Sequence, residues 1–385
     1  SLLCVATGSV YTIFYLCYGN YVEAFTMPWI AFAIYLFGKY YEDNRYRLTN
    51  LEIFGLGVSF LFVIMMRQNN TGIWFLGCYF IVVHQFVQKK YSEILRYGVV
   101  FISGMLIAFL PGMFYLTIHG AWKDFIETYW LFNFGYVAVG GNKLNAIMHF
   151  GITLPGIIVI AGSALTIINR KKWAGYELSL IAYYGLYGIS LLFAGMAGHT
   201  WEHYAIIMLP LFPIGCLIFF KNIKILYESI KSVTLQTVLH SLLGLIIAIS
   251  LLDSRGNLIQ AVKGMANIRY DSSSRYIVKV ISKRIKEKTD PDQKISVVGN
   301  FGAYYWVSER MSASKYFYQI PPIEVSQKIE SQYLTDLNNN MPGAIIVAGT
   351  DLLEEYPEFE QKVHDFLKND YVLDFEQDKQ QLYFR

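Results

Sequence analysis

The chain has 385 residues, 54% of them hydrophobic and 16% charged, with a mean hydropathy of +0.35. That balance excludes a cytosolic enzyme, a disordered chain and a fibrous repeat. The formal charge of +3 gives no reason to expect a nucleic-acid partner.

The average hides a split. Residues 1–252 carry 25 Asp, Glu, Lys and Arg, about 10% of that stretch, and residues 253–385 carry 36, about 27%. Two domains are therefore expected: a transmembrane helical domain at 1–252 and a soluble α/β domain at 253–385. Ser1–Tyr18 has no charge and no basic n-region, so it does not read as a signal peptide, and the chain is expected to be a piece whose start lies upstream.

Charge-free runs of roughly 16–22 residues can each cross a hydrocarbon core as a helix. Nine follow one another, at about 1–18, 24–38, 51–66, 71–87, 97–117, 146–168, 176–197, 204–220 and 236–252. Backbone polar groups must be paired inside lipid, so the runs should be helical; Pro28, Pro111, Pro155, Pro210 and Pro213 fall near their ends or would kink them. One set of alternate loops carries Lys39, Arg45, Arg47, Lys89, Lys90, Arg96, Arg170, Lys171, Lys172, Lys221, Lys224 and Lys231. The other carries only Arg67, Lys123 and Lys143. Twelve cations against three place the first set in the cytoplasm. A polytopic α-helical membrane protein of the plasma membrane is expected, multi-pass, with residues 253–385 extracytoplasmic. Trp29, Trp74, Trp122, Trp130 and Trp201 then lie near outer helix ends, as an aromatic belt would. Cys4, Cys17, Cys78 and Cys216 all sit in apolar runs and form no visible disulfide framework or metal site.

The polar third alternates strand and helix signals. Arg275–Lys288 reads as a helix, Lys294–Val298 as a buried strand and Tyr316–Tyr318 as a short aromatic strand. Ile323–Leu337 reads as a helix, Gly343–Ala348 as a second buried strand and Phe359–Leu367 as a helix. Val372–Glu376 and Gln381–Phe384 suit a closing hairpin. Gly299-Asn300-Phe301-Gly302 echoes a phosphate loop only weakly and reads as a turn.

Four polar clusters fall on the expected outer side, where charge beside lipid is costly and usually has a use. The segment GNYVE ends in Glu23, the only acid in residues 1–41. It suits divalent-cation binding, proton transfer from an acceptor hydroxyl, or simply a helix N-terminus. Arg67-Gln68-Asn69-Asn70 ends a helix; a guanidinium pairs well with phosphate, and an arginine snorkelling to the interface is the plainer reading. Loop 118–145 carries His119, Lys123, Asp124, Glu127 and aromatic residues at helical spacing, which fits an amphipathic helix lying in the interface or one wall of a substrate entrance. Gly198-His199-Thr200-Trp201-Glu202-His203-Tyr204 places two imidazoles four residues apart. On one helical face that spacing would let His199, His203 and the Glu202 carboxylate bind a metal, and Glu23, Glu202 and His203 are candidate metal ligands, although the order is HxxEH rather than HExxH. Hydrogen bonding to sugar or phosphate, or a polar connector, fits equally. His84 and His240 lie within apolar runs, where a hydrogen-bonded histidine is expected.

In order along the chain, GNYVEAFTMPWIAFAIYLF, MRQN, WKDFIETYWLFNFGY, GHTWEHYAIIMLP and ISVVGNFGAYYWVSERMSASKYFYQIPP resemble bacterial GT-C membrane glycosyltransferases. The nearest group is the protein O-mannosyltransferase and lipid A aminoarabinose transferase superfamily. The resemblance implies a GT-C-like domain, with its first helices missing, that moves a sugar from a polyprenyl-phosphate carrier to a cell-envelope glycan, lipid or protein on the outer face, inverting the anomeric centre. It implies membrane lipids as surroundings and a divalent metal as a possible cofactor. Members use an aspartate in the first outer loop as base. No position here matches it, Glu23 matches the second acidic outer-loop position in a supporting role, and the main base is expected upstream of Ser1. Arg67, Asn69, Lys123, His199, His203 and Tyr204 are the expected substrate-binding residues. A transporter or flippase for a lipid-linked glycan is the competing class; it would need no large outer domain and would carry charge near helix midpoints. An anchored sensor or binding module is a third, for which nine spans are excessive.

Overall fold

The computed structural model describes residues 22–42, 46–234, 273–320, 322–349 and 353–385, with a few positions between 236 and 259. The run at 1–18, most of 236–252, Cys4, Cys17 and His240 lie outside the described residues. Two compact units emerge: one from 1–126 and 140–265, the other from 127–139 and 266–385. The second unit thus takes in Glu127–Val139, a segment that composition leaves with the apolar part.

The described residues of the first unit are helices joined by turns. Each apolar run among the described residues forms helix: Val22–Glu42, Asn50–Met66, Gly72–Val87, Tyr91–Ile118, Lys143–Gly151 followed by Leu154–Ile168, Glu177–Gly195, and Glu202–Met208 followed by Phe212–Ser229. Among the described residues, three helices are long and apolar enough to cross a membrane: Gln68–Val87, Tyr91–Ile118 and Glu177–Gly195. The number reaches five if each of two bent pairs is one span, Lys143–Gly151 with Pro155–Ile168 at 75° and Glu202–Met208 with Phe212–Ser229 at 65°. Proline explains both bends, since it has no N–H to donate and clashes with the preceding turn: Pro155 opens the second helix of one pair, and Pro210 and Pro213 flank the break in the other. Along Tyr91–Ile118, Val99, Ile102, Leu106, Ile107, Leu110 and Phe114 are all more than half exposed, a surface that fits membrane association.

Local chemistry fixes the ends. Thr49 and Glu52 form a reciprocal capping box at Asn50–Met66, and Lys39 pairs with Glu52. His84 is hydrogen-bonded as expected, its Nδ1 2.8 Å from the Tyr40 hydroxyl. Asn222, fully buried, ties two helices and a turn. Its Nδ2 donates to Thr166 Oγ1 at 2.8 Å, and its Oδ1 accepts from Trp173 Nε1 at 2.9 Å and Asn169 Nδ2 at 3.1 Å. A buried amide is tolerated only when satisfied in this way.

In the second unit, four strands form one sheet in the order β1 (Ile295–Gly299), β2 (Ala344–Ala348), β4 (Gln380–Phe384), β3 (Val372–Gln377). β1 and β2 are parallel, linked through the Gln327–Asn340 helix, and β4 is antiparallel to both its neighbours. The hairpin turns on Asp378 and Lys379, both at positive φ, the geometry of the tight turn that matches strand twist. Alternation sorts the faces. Ile295, Val297, Ala344 and Ile346 pack with Ile277, Ile281 and Ile285 of the Ser273–Lys288 helix. Val298, Ile345 and Val347 pack with Tyr333, Leu337, Phe359 and Val363 of the helices on the other face. Both parallel strands are buried on both sides, which is why GAIIVA is an unbroken apolar run and the strand within KISVV is broken only by Ser296, satisfied by the Tyr333 hydroxyl at 2.7 Å.

The aromatic strand expected at Tyr316–Tyr318 is not formed. Its backbone groups are engaged elsewhere: Tyr316 N donates to Ser314 Oγ at 3.1 Å and Gln319 N to Gly299 O at 3.0 Å, while Ser312 takes the bridge beside Ile295. Gly299-Asn300-Phe301-Gly302 is a turn, with Gly299 at φ +122° and its α-carbon so close to β2 that a Cβ would stand 2.5 Å from Ala348 O.

Arg284 and Lys288 both reach Asp374 on β3. The Lys288 ammonium, then the Arg284 guanidinium, hold the Asp374 carboxyl below the usual carboxylate range. A group whose folded pKa lies below its unfolded value stabilises the fold above that unfolded value, near pH 4, and loses the contribution as pH falls through the folded value. Asp374→Asn should therefore weaken the amide protection of 372–377 at pH 7 by about 1 kcal/mol or less. The difference from the parent should shrink as pH falls below the usual carboxylate range. Hydrogen exchange corrected for intrinsic rates measures both.

Candidate functional site at the helix ends

Four chain segments of the first unit bring their polar ends together. Glu23 lies in the first turn of Val22–Glu42 and Arg67 caps the end of Asn50–Met66. Asn70 lies in the 3₁₀ turn Gln68–Thr71, and His203 and Tyr204 lie in the 3₁₀ turn Glu202–Met208. Arg67 Nη1 stands 2.9 Å from Glu23 Oε1, and His203 Nε2 stands 3.9 Å from the same oxygen. The arginine contact is one of charge rather than an aligned hydrogen bond. Beneath it the Arg67 guanidinium carbon sits 4.4 Å from the centroid of the Tyr204 ring, a cation–π contact.

Exposure grades across the cluster. The Glu23 side chain is 2% exposed, that of His203 21% and that of Arg67 27%. The acid forms the floor, with the cation and the imidazole between it and the surface. Two neutral groups complete the floor: Thr26 Oγ1 donates to the Glu23 carbonyl at 2.7 Å and accepts from Asn70 Nδ2 at 2.8 Å. Sequence reasoning missed both. Thr26 carries a readable signal in its spacing, one helical turn from Glu23. Asn70 competed with its neighbour Asn69, which is half-buried in the same turn and is not among the hydrogen-bond partners of the floor.

Above Tyr204 the aromatic residues stack. The Trp201 ring lies 4.6 Å from His199 at 9° and 5.8 Å from His203 at 21°, with 45% of Trp201 exposed. His199 thus approaches the cluster through Trp201. Glu202 is exposed, and Lys123 is exposed on the short helix Trp122–Phe125. Among the described residues no three His, Cys, Asp or Glu side chains gather closely enough to hold one ion, and the approach to Glu23 Oε1 is taken by a guanidinium.

A buried carboxylate fixing a half-exposed guanidinium over an aromatic ring can do one thing well. It presents a planar, fixed cation to a dianionic or phosphate group at the end of a helical bundle. No family model matches the chain, and no curated protein matches it significantly.

Proposed function

We propose that this chain is a polyprenyl-phosphate-sugar-dependent glycosyltransferase of the cell membrane, acting on the outer face. Its nine apolar runs cross the bilayer and its second unit lies outside, the sidedness following from the twelve-to-three distribution of basic loop residues. The observation that carries the reading is Arg67, held by Glu23 and Tyr204 where helices end. A polyprenyl-phosphate sugar keeps its tail in lipid and its phosphate at the headgroup layer. As an acceptor hydroxyl displaces the phosphate from the sugar, forming the new C–O bond, breaking the old one and releasing its proton to solvent, negative charge grows on the leaving oxygen. A cation already in place stabilises that charge without reorganising. Glu23 is too buried to meet an acceptor, so it is a positioning residue for Arg67. His203, next to the same carboxylate, is placed to donate a hydrogen bond to the phosphate, and exposed Trp201 offers a ring face to the sugar.

Transfer of radiolabelled sugar from polyprenyl phosphate into the envelope fraction of membranes tests this. Arg67→Lys keeps the charge but loses the fork, and transfer should fall about 10-fold or more, the equivalent of about 1.4 kcal/mol. Lys143→Ala, a surface cation outside the cluster, should transfer as the parent does. Full transfer by Arg67→Lys and Arg67→Ala would remove Arg67 from the reaction and leave it an interfacial anchor.

A further inference from the structure

The second unit contains a cavity of about 640 Å³, within the range of small-molecule sites. One wall is a single helical face carrying Glu127, Leu131, Phe132 and Gly135. It begins as a π-helix, Ile126–Leu131, a rare geometry that recurs at functional sites. The facing wall is the stretch from Lys315 to Tyr318, whose backbone the hydrogen bonds described above keep out of the sheet, together with Ser326–Ile329. Gly135 lets the walls close at one end, since a Cβ there would stand 2.7 Å from Val325 Cγ1.

The lining is mixed in a specific way. Phe317 is 51% and Tyr318 37% exposed, an aromatic surface that no packing role has covered. The Lys315 ammonium lies 5.1 Å from the Tyr316 ring centroid, and Lys328 Nζ lies 3.8 Å from Glu127 Oε2 with 66% of its side chain exposed. Two cations against one anion leave the lining net positive. A purely apolar ligand would strand those charges, and a neutral one would gain nothing from the positive field. A pyranose bearing an acid matches both features: its flat C–H face suits an aromatic ring, whose face is the negative pole of its quadrupole, and its acid suits an ammonium.

We propose that this cavity binds an anionic saccharide, with its C–H face against the exposed Phe317 and Tyr318 rings and its acid between Lys315 and Lys328. The site lies wholly within the second unit, so its test is read by binding and stands or falls separately from sugar transfer at Arg67. The full chain is held in a detergent without a sugar headgroup and titrated calorimetrically with two probes, a hyaluronan tetrasaccharide (anionic) and chitotetraose (neutral). The anionic probe should bind about tenfold more tightly at low salt, and added salt should erode that preference. Lys315→Gln and Lys328→Gln should each weaken the anionic probe about 2- to 10-fold and leave the neutral probe unchanged. Phe317→Ala, at an exposed position where the fold has little to lose, should weaken both. Equal affinity for the two probes, no binding of the tetrasaccharide, or undiminished binding by the Lys315→Gln/Lys328→Gln double variant would each overturn the proposal.

Discussion

Arg67→Ala should destabilise the helical unit by roughly 3–5 kcal/mol, because it leaves the Glu23 carboxylate buried with its cation removed. Glu23 is 1% exposed and draws on Arg67 at 2.9 Å; Asn70 and Thr26 hold the helix beneath it and do not replace the charge. The melting midpoint in detergent should fall by roughly 6 °C or more, followed with a thiol-reactive dye as Cys216, fully buried in the fold, becomes accessible. The informative comparison is the double variant Glu23→Leu/Arg67→Met. Replacing a buried ion pair by apolar residues of similar volume is often neutral or stabilising, so the double variant should melt close to the parent. If the pair is only structural, the double variant keeps its transfer activity. If Arg67 holds the carrier phosphate, the double variant is stable and inactive. Stability and function are thereby separated in one protein.

The sequence makes this cluster legible in outline for a physical reason. A lone acid and a lone cation at the ends of long apolar runs have few other places to go, so Glu23 and Arg67 stand out without any knowledge of packing. Thr26 stands out only by its one-turn spacing from Glu23, because a neutral polar residue inside an apolar run carries no cost until burial is known, and nothing in the sequence separates Asn70 from Asn69 beside it. In the polar third, the runs at 294–298 and 343–348 are legible because two-sided burial erases alternation, and 372–384 because two half-buried strands flank a short polar turn. Tyr316–Tyr318 misleads because aromatic residues favour strands on average, while here Ser314, itself bonded to Asp336 at 2.7 Å, captures the backbone. The assignment of 127–139 to the second unit is invisible in sequence. It depends on which surface the helical face meets, and composition says nothing of that.

Gly57 and Gly104 let two helices of the first unit cross in backbone contact, and substituting them should have an effect as large as losing Arg67. Each lies on the other helix's backbone: a Cβ on Gly57 would collide with the Phe101 carbonyl oxygen, and one on Gly104 with the Phe54 carbonyl oxygen. The partners are Asn50–Met66 and Tyr91–Ile118, and the contact is reciprocal. Small residues at a helix crossing allow the close backbone approach that packing of apolar helices depends on. Because the colliding atoms are backbone, no rotamer change relieves them, and the helices must separate along the whole crossing. Gly57→Val and Gly104→Val should each cost at least the roughly 1–3 kcal/mol of an overpacked core, and together should prevent recovery of a monodisperse protein from detergent. Gly98, on the same Tyr91–Ile118 helix, faces open space: nothing lies within 4 Å of where a methyl group would stand. Gly98→Ala should be neutral or stabilise by roughly 0.5–1 kcal/mol through helix propensity alone. Size-exclusion profiles and thermal melts of the three variants decide the matter. A monodisperse Gly57→Val/Gly104→Val protein melting with the parent would mean that these two helices do not cross at the glycines.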